Sequence, residues 1–305
     1  MTILILEQLL NGLQFGLMLF LLTAGLTLVF GIMDLINLAH GSLYVTGAYL
    51  TATLTQATGS FLMAIPFAVA ITAILGMIME MSLLRTLYQR NHLSQVLATY
   101  ALLLICNEAI RIIWGSQPLE LNAPAALSGP VEIVPGLFYS SYRLVIIGVG
   151  AVLAALLYIL ITRTKAGMWV RAGASNRQMA TVMGVNIKLL FTVVFGLGAA
   201  LSAGAGALLG PLLSVQVGMG ENILILAFVV VVIGGVGSIR GALVGALLVG
   251  LVDNAGRTAL SMVLRQLLPP TTASTLGSTL SSILIYILMA AVLFWKPQGL
   301  FPARG

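Results

Sequence analysis

Asp34, Asn37 and His40 stand at three-residue intervals in the stretch Gly31-Ile-Met-Asp-Leu-Ile-Asn-Leu-Ala-His-Gly41. Apolar runs flank it on both sides. A carboxylate, an amide and an imidazole are therefore brought toward a hydrocarbon interior. Ionisable groups at that depth are costly and usually face a cavity or a partner. Placed beside a translocation path, Asp34 and His40 would be able to exchange protons. Placed in a hydrogen-bonded kink or a turn at the membrane surface, the same residues would only satisfy backbone freed by a helix break. Glu108 with Arg111 and Asp253 with Arg257 are each one helical turn apart. That spacing allows local ion pairing, which is mostly structural. Glu80 near Arg85 reads as interfacial.

Bond-breaking chemistry finds no apparatus. No lysine follows a glycine, so there is no Walker A phosphate loop. His40 and His92 lie far apart, no metal-ligand or Cys-x-x-Cys spacing occurs, and no serine sits in a nucleophile elbow. The chain is expected to be no enzyme and to hold no metal or cofactor of its own. If transport is driven by ATP, another chain carries the ATPase.

The composition says what must position these residues. The chain has 305 residues, 60% hydrophobic and 7% charged, with a mean hydropathy of +1.10. A soluble domain needs about a quarter of its residues charged. The fold class is all-α: a polytopic transmembrane helix bundle of about eight to ten helices, with discontinuous helices near the midplane. Residues 1–305 form one domain. The net charge of +6 reflects orientation and contact with anionic membrane lipid. No basic patch with interleaved aromatics points to nucleic acid. Cys106 is the single cysteine and cannot form an internal disulfide.

Spans of roughly 20 apolar residues begin with Leu9–Phe30, followed by a run resuming after the polar stretch to about Thr55. Phe61–Leu84, Leu93–Trp114, Leu144–Ile161, Leu189–Leu213, Ile223–Ile233, Ala242–Ala255 and Leu280–Trp295 follow, for about nine crossings. Ser116–Tyr139 reads as a proline-bearing outer loop with Glu120 and Glu132, and Ser261–Ser278 as a second outer segment. The charge bias puts the C-terminus, with Lys296 and Arg304, inside and the N-terminus outside.

Between two of the spans lies a polar interval, 162–188, with five basic residues and no acid. Basic loops stay on the cytoplasmic side. Ser175 and Gln178 have capping-box spacing, and Gly184 suits a left-handed helix stop. These predict one short surface helix, roughly Asn176 to Met183, either a docking element or a plain linker. Small residues recur at every fourth position in Gly198, Ser202, Gly206 and Gly210, and in Gly237, Gly241 and Gly245, where they permit close helix packing. A faint internal echo pairs His40-Gly41-Ser42-Leu43 with Arg240-Gly241-Ala242-Leu243. Corresponding glycine-interrupted segments point toward a substrate route. Candidate path residues are thus Asp34, Asn37, His40 and Gly41 in the first half, and Gly235 and Arg240 in the second.

The interval Thr164 to Val185 resembles the cytoplasmic loop of bacterial ABC-importer permeases of the branched-chain amino-acid type, on Gly167, Arg171, Ala172, Asn176, Ala180, Met183 and Gly184. Leu10-Asn-Gly-Leu13, Gly16, Ala24-Gly-Leu26, Phe30-Gly31, Ala39-His-Gly41 and Gly47 are similar to the H-type subunit. So are Gly234-Gly-Val-Gly-Ser-Ile-Arg-Gly241 and Lys296-Pro-Gln-Gly-Leu-Phe301. The resemblance covers nearly the whole chain. It implies a bacterial inner-membrane importer subunit for branched-chain amino acids or a related small amino acid, amide or carboxylate. The implied partners are an M-type permease chain, two cytoplasmic ATPases that bind ATP and Mg, and a periplasmic binding protein. Arg171, Ser175, Asn176, Gln178, Ala180, Met183 and Gly184 would form the coupling element seated on an ATPase, within a coupling loop of 162–188. The rivals are a stand-alone proton-coupled secondary transporter, titrating Asp34, His40 or Asp253, and a membrane scaffold with no path of its own.

Overall fold

The computed structural model describes residues 2–301; residues 302–305, with Arg304, lie outside the described residues. The chain is an all-α polytopic bundle. In order its helices are α1 (Thr2–Met33), α2 (His40–Thr58), α3 (Phe61–Ser82), α4 (His92–Trp114), α5 (Ser141–Arg163), α6 (Lys165–Ser175), α7 (Arg177–Val182), α8 (Ile187–Leu209), α9 (Met219–Gly234), α10 (Ile239–Leu264) and α11 (Pro270–Trp295). Among the described residues, α1, α3, α4, α5, α8, α10 and α11 are long and apolar enough to cross a membrane. α2 and α9 fall on the other two apolar runs of the sequence but are not among them, so seven helices meet the length and apolarity of a crossing where nine crossings were expected.

Helices α1 and α8 are the buried centre, and α3, α4, α5 and α11 turn most of their surface outward. Lipid is as apolar as leucine, so packing depends on close backbone approach. Gly12 meets Leu251, Gly16 meets Ala246 and Leu247, and Gly31 meets Gly237, so α1 and α10 run antiparallel. The small-residue stripe of α8 is used the same way: Gly198 lies against Gly25, and Gly206 against Tyr44. Leu17 to Leu22 and Phe195 fill the core between them.

Two helices do not span. His40, the first residue of α2, lies against Leu22 and Gly25, roughly three turns before the end of α1. The chain thus leaves α1 at one end of the bundle, doubles back through 34–39, and starts α2 at mid-depth. The second half does the reverse. Beyond α8 the chain pairs Val215 with Leu119 at the opposite end. It then descends to Gly218 and starts α9 against Gly41. The two N-termini meet there: a Cβ on Gly41 would lie 2.6 Å from the Gly220 carbonyl oxygen. The expected echo is corrected by this contact. The counterpart of His40-Gly41 is Met219-Gly220, while Arg240-Gly241 opens the full-length α10.

Two loop expectations also change. Ser116–Tyr139 carries a hairpin, β1 (Pro130–Val134) with antiparallel β2 (Leu137–Ser140), turned at Pro135-Gly136 where Gly136 has φ +87°. Most of Ser261–Ser278 is helical, because α10 runs to Leu264 and α11 starts at Pro270. Its hydroxyls bond back to their own helix, as Ser274 and Thr275 do to the Thr271 carbonyl. Serine and threonine are thereby accommodated inside a helix, and Pro270 supplies its fixed first turn.

Candidate functional site

The break between α1 and α2 is built by its own polar residues. Asp34 ends α1 in the left-handed region, φ +54°, and is the one non-glycine there among the described residues. A short polar side chain tolerates that conformation best after glycine. Asp34 is exposed, whereas Asn37, His40 and Gly41 are buried. Asn37 Oδ1 accepts from the Ala39 N–H at 3.1 Å, and His40 Nε2 meets the Leu22 carbonyl at 3.2 Å. Ser202 donates to the His40 carbonyl at 3.3 Å, and Thr99 of α4 donates to the Ile36 carbonyl and accepts from the Leu38 N–H, both at 3.2 Å. Backbone freed by the interruption is thus taken up by Asn37 itself and by Thr99 of α4, and Ser202 of α8 bonds the first residue of α2. Asn37 Nδ2 and His40 Nδ1 stay buried without a partner among the described residues.

The structure does not bring Gly235 and Arg240 to this break. Gly235 closes α9 at φ +104° beneath the tail carbonyls of Gln298 and Phe301. Arg240 is exposed, donates to the Tyr158 hydroxyl at 2.8 Å, and lies 5.3 Å over its ring.

The basic interval holds two helices rather than one. Thr164 caps α6, accepting from Gly167 N–H at 3.1 Å. Ser175 is the last residue of α6, and Asn176 is the cap of α7, its Oδ1 accepting from Met179 N–H at 2.9 Å. The expected Ser175–Gln178 box is replaced by a single cap one residue later, because Asn is as strong a cap as Ser and stands next to the turn, while Met179 has no group to reach back. Gly184 stops α7 at φ +87°, with Val185 N–H reaching back to the Ala180 carbonyl at 3.0 Å. Ala180 is buried; Gln178 is exposed. Met179, Val182 and Met183 are 59%, 81% and 77% exposed, a bare apolar surface on a helix capped at both ends.

From α7 a line of contacts runs into the bundle. Arg177 lies over Phe191 of α8, and Phe191 meets Tyr88 edge-on. The Tyr88 hydroxyl donates to Glu80 at 2.8 Å and touches Met33 sulfur at 3.5 Å. Glu80 is buried and also accepts from Arg85 at 3.0 and 3.3 Å and from Thr192 at 2.6 Å. Burial holds the Tyr88 phenol above its ordinary value, and the Glu80 bond adds to it. The same carboxylate, first by hydrogen bonding, raises Arg85. Met33 is the last residue of α1, immediately before Asp34. The sequence showed the Glu80–Arg85 neighbours; it gave no sign of Thr192 or Phe191, more than a hundred positions away.

In the first turn of α9, next to Gly220, Glu221 accepts from Asn107 of α4 at 2.7 Å. Glu108 pairs with Arg111 at 3.3 Å. These four residues, with Gln216 and Gly218, line an open recess of ≈ 580 Å³. Sequence reasoning missed Asn107 and Glu221; the only local signal was an acid in the first turn after a glycine.

The family described as "Branched-chain amino acid transport system / permease component" matches residues 8–293. The chain is 31% identical over 265 residues to the high-affinity branched-chain amino acid transport system permease protein BraD of Pseudomonas aeruginosa, covering 82% of this chain and 86% of the relative. It is 29% identical over 276 residues to the corresponding LivH protein of Escherichia coli K12, covering 84% and 87%. To a probable branched-chain amino acid transport permease protein LivH of Methanocaldococcus jannaschii it is 30% identical over 250 residues, covering 78% and 76%. No solved structure matches it. A bundle of membrane-length helices matched from residue 8 to residue 293 is conclusive: the chain is a multi-pass transport permease and belongs to the branched-chain amino acid transport system permease component family.

Proposed function

We propose that the chain is one of two permease subunits of a binding-protein-dependent ABC importer in a bacterial inner membrane. It pairs with a related M-type permease, and two cytoplasmic ATPases bind ATP and Mg beneath the pair. A periplasmic binding protein delivers branched-chain amino acids, or a related small amino acid, amide or carboxylate. The observation that carries the reading is α7. A six-residue helix gains little from its own hydrogen bonds, yet this one is fixed by a cap and a glycine stop and leaves Met179, Val182 and Met183 bare. That is the form of a helix laid into a partner's groove.

The basic residues support the orientation. Arg85, Arg90, Arg163, Lys165, Arg171, Arg177, Lys188, Arg240 and Lys296 gather at the end holding α6 and α7, with Asp34 and Glu80, whereas Arg111, Arg143, Arg257 and Arg265 share the other end with Glu7, Glu108, Glu120, Glu132, Glu221 and Asp253, so the bias is one of numbers. Positive charge stays on the cytoplasmic side. The C-terminus is then cytoplasmic and the N-terminus periplasmic. ATP binding favours one arrangement of the ATPase pair and so one state of the path. The displacement of α7 passes through Phe191, Tyr88 and Glu80 to Met33 and the break at 34–41. Asn37 and His40, with unused polar atoms at mid-depth, flank the route. The recess at Glu221 and Arg111 carries both signs of charge and suits the head of a zwitterion arriving from the binding protein.

Reconstitution tests this. The chain with its M-type, ATPase and binding-protein partners should take up leucine only with ATP, and a cysteine at Met183, in a background lacking Cys106, should crosslink to the ATPase. Uptake by the chain alone in liposomes, driven by a proton gradient, would replace the reading with the secondary-transporter one.

A further inference from the structure

We infer that a cavity at the basic end, between α1, α5, α6 and the start of α10, is a binding site for one anionic phospholipid. The cavity measures ≈ 800 Å³. Its buried walls are mostly apolar: Leu28, Ile32, Ile161 and Val170 form a surface for an acyl chain, with the buried Thr27 hydroxyl as the polar exception. Arg171 and Arg240 stand in its lining, with the hydroxyls of Ser175 and Ser238, and among the described residues the lining contains no acid. Charge and apolarity are thus segregated as they are in a lipid.

The arginines are partly engaged but not exhausted. Arg171 donates to the Ile161 carbonyl, and Arg240 donates to the Tyr158 hydroxyl at 2.8 Å. A guanidinium has five N–H donors, so both retain several for phosphate, whose geometry they match. The level in the membrane also fits. Trp169 on α6 and Trp295 at the end of α11 are exposed at this end, and tryptophan marks the headgroup layer. Basic pockets between helices on this side of a membrane take anionic headgroups. The site does not depend on which solute the permease carries. It does join α6, the start of the coupling loop, to α1 and α10, so an occupied site would brace them together.

The test uses the purified full-length chain in detergent, with dioleoylphosphatidylglycerol and dioleoylphosphatidylcholine as probes and inorganic phosphate as a third arm. Native mass spectrometry should show retention of the anionic lipid, and heating should show stabilisation by it alone. The doubly substituted Arg171→Ala, Arg240→Ala chain should retain it about thirtyfold less, while Arg171→Lys, Arg240→Lys keeps most of the binding. Ala174→Trp, which fills the cavity without removing charge, should lose the lipid too, and it serves if the arginine variant fails to fold. Equal retention of both lipids, undiminished retention in the alanine or tryptophan variants, or stabilisation by phosphate alone would each overturn the assignment.

Discussion

The guanidinium carbon of Arg177 sits 5.5 Å from the centre of the Phe191 ring, and that ring meets Tyr88 at 5.3 Å and 88°. The first residue of α7 is therefore tied to a cluster that ends on Met33. Cation–π and edge-to-face contacts are worth about 1 kcal/mol each. Phe191→Leu removes both, enough to shift a two-state balance by roughly tenfold or more. The expected outcome in the reconstituted importer is continued ATP hydrolysis with uptake reduced about tenfold. An unchanged ratio of solute moved to ATP consumed would show that the contact line carries nothing.

Glu80 gives a second, separable expectation. It is buried and accepts from Arg85, Tyr88 and Thr192. Glu80→Ala leaves a guanidinium and two hydroxyls facing a void, so loss of yield and a lower melting temperature are expected. Glu80→Gln keeps the shape and much of the hydrogen bonding and should fold, with transport weakened. Arg85 is partly exposed, so high salt should mimic only part of the loss.

The bundle was legible because hydropathy acts locally: each span is an unbroken run that needs no partner to declare itself. Cap positions were legible to within one residue, since Asn176 and Ser175 are both good caps and only packing chooses between them. The helix α6 was missed because Lys165, Gly167 and Gly173 dilute its pattern, although Thr164 opens it with a normal cap. What could not be read was the pairing of distant segments. Gly41 with Gly220, and Glu80 with Thr192, are set by how helices cross, and a single sequence records no crossing.

Asp34 discriminates between drive by ATP and drive by protons. Its backbone is left-handed and its side chain exposed, so the residue is a helix stop. Asn tolerates the same conformation, and Asp34→Asn should leave stability within about 0.5 kcal/mol and uptake near normal. Asp34→Gly should fold at least as stably, gaining up to about 1 kcal/mol. Asp34→Val should lose yield, because a β-branched residue is strained at positive φ. If Asp34→Asn folds well yet abolishes uptake, the carboxylate itself titrates and proton coupling gains the advantage.

The proposed docking helix, α7, is expected to fail independently of the bundle. Asn176→Ala removes the bond to Met179 N–H, a loss of about 1 kcal/mol. Affinity for the ATPase should fall roughly fivefold, by the same arithmetic. Gly184→Val forces a branched side chain to φ +87° and should do more. Membrane insertion and thermal stability of the isolated chain should not change, since α7 packs lightly on the rest. A variant with normal ATPase affinity in pull-down measurements would place the docking contact elsewhere.

The meeting of the two half-helices has its own signature. At Gly220 an added methyl would collide with the Gly41 carbonyl oxygen and with Val45, whereas at Gly204 it would find only Val69, at 4.0 Å. Both changes add the same methyl to an apolar helix environment, so transfer energies cancel in the comparison. Overpacking typically costs 1–3 kcal/mol, about that much for Gly220→Ala, and replacing Gly204 should raise helix stability slightly. The expected order of melting temperatures is Gly204→Ala at or above the parent, then the parent, then Gly220→Ala well below. Should the two variants melt together, the N-termini of α2 and α9 do not touch in the membrane, and the mirrored arrangement of the two halves would have to be redrawn.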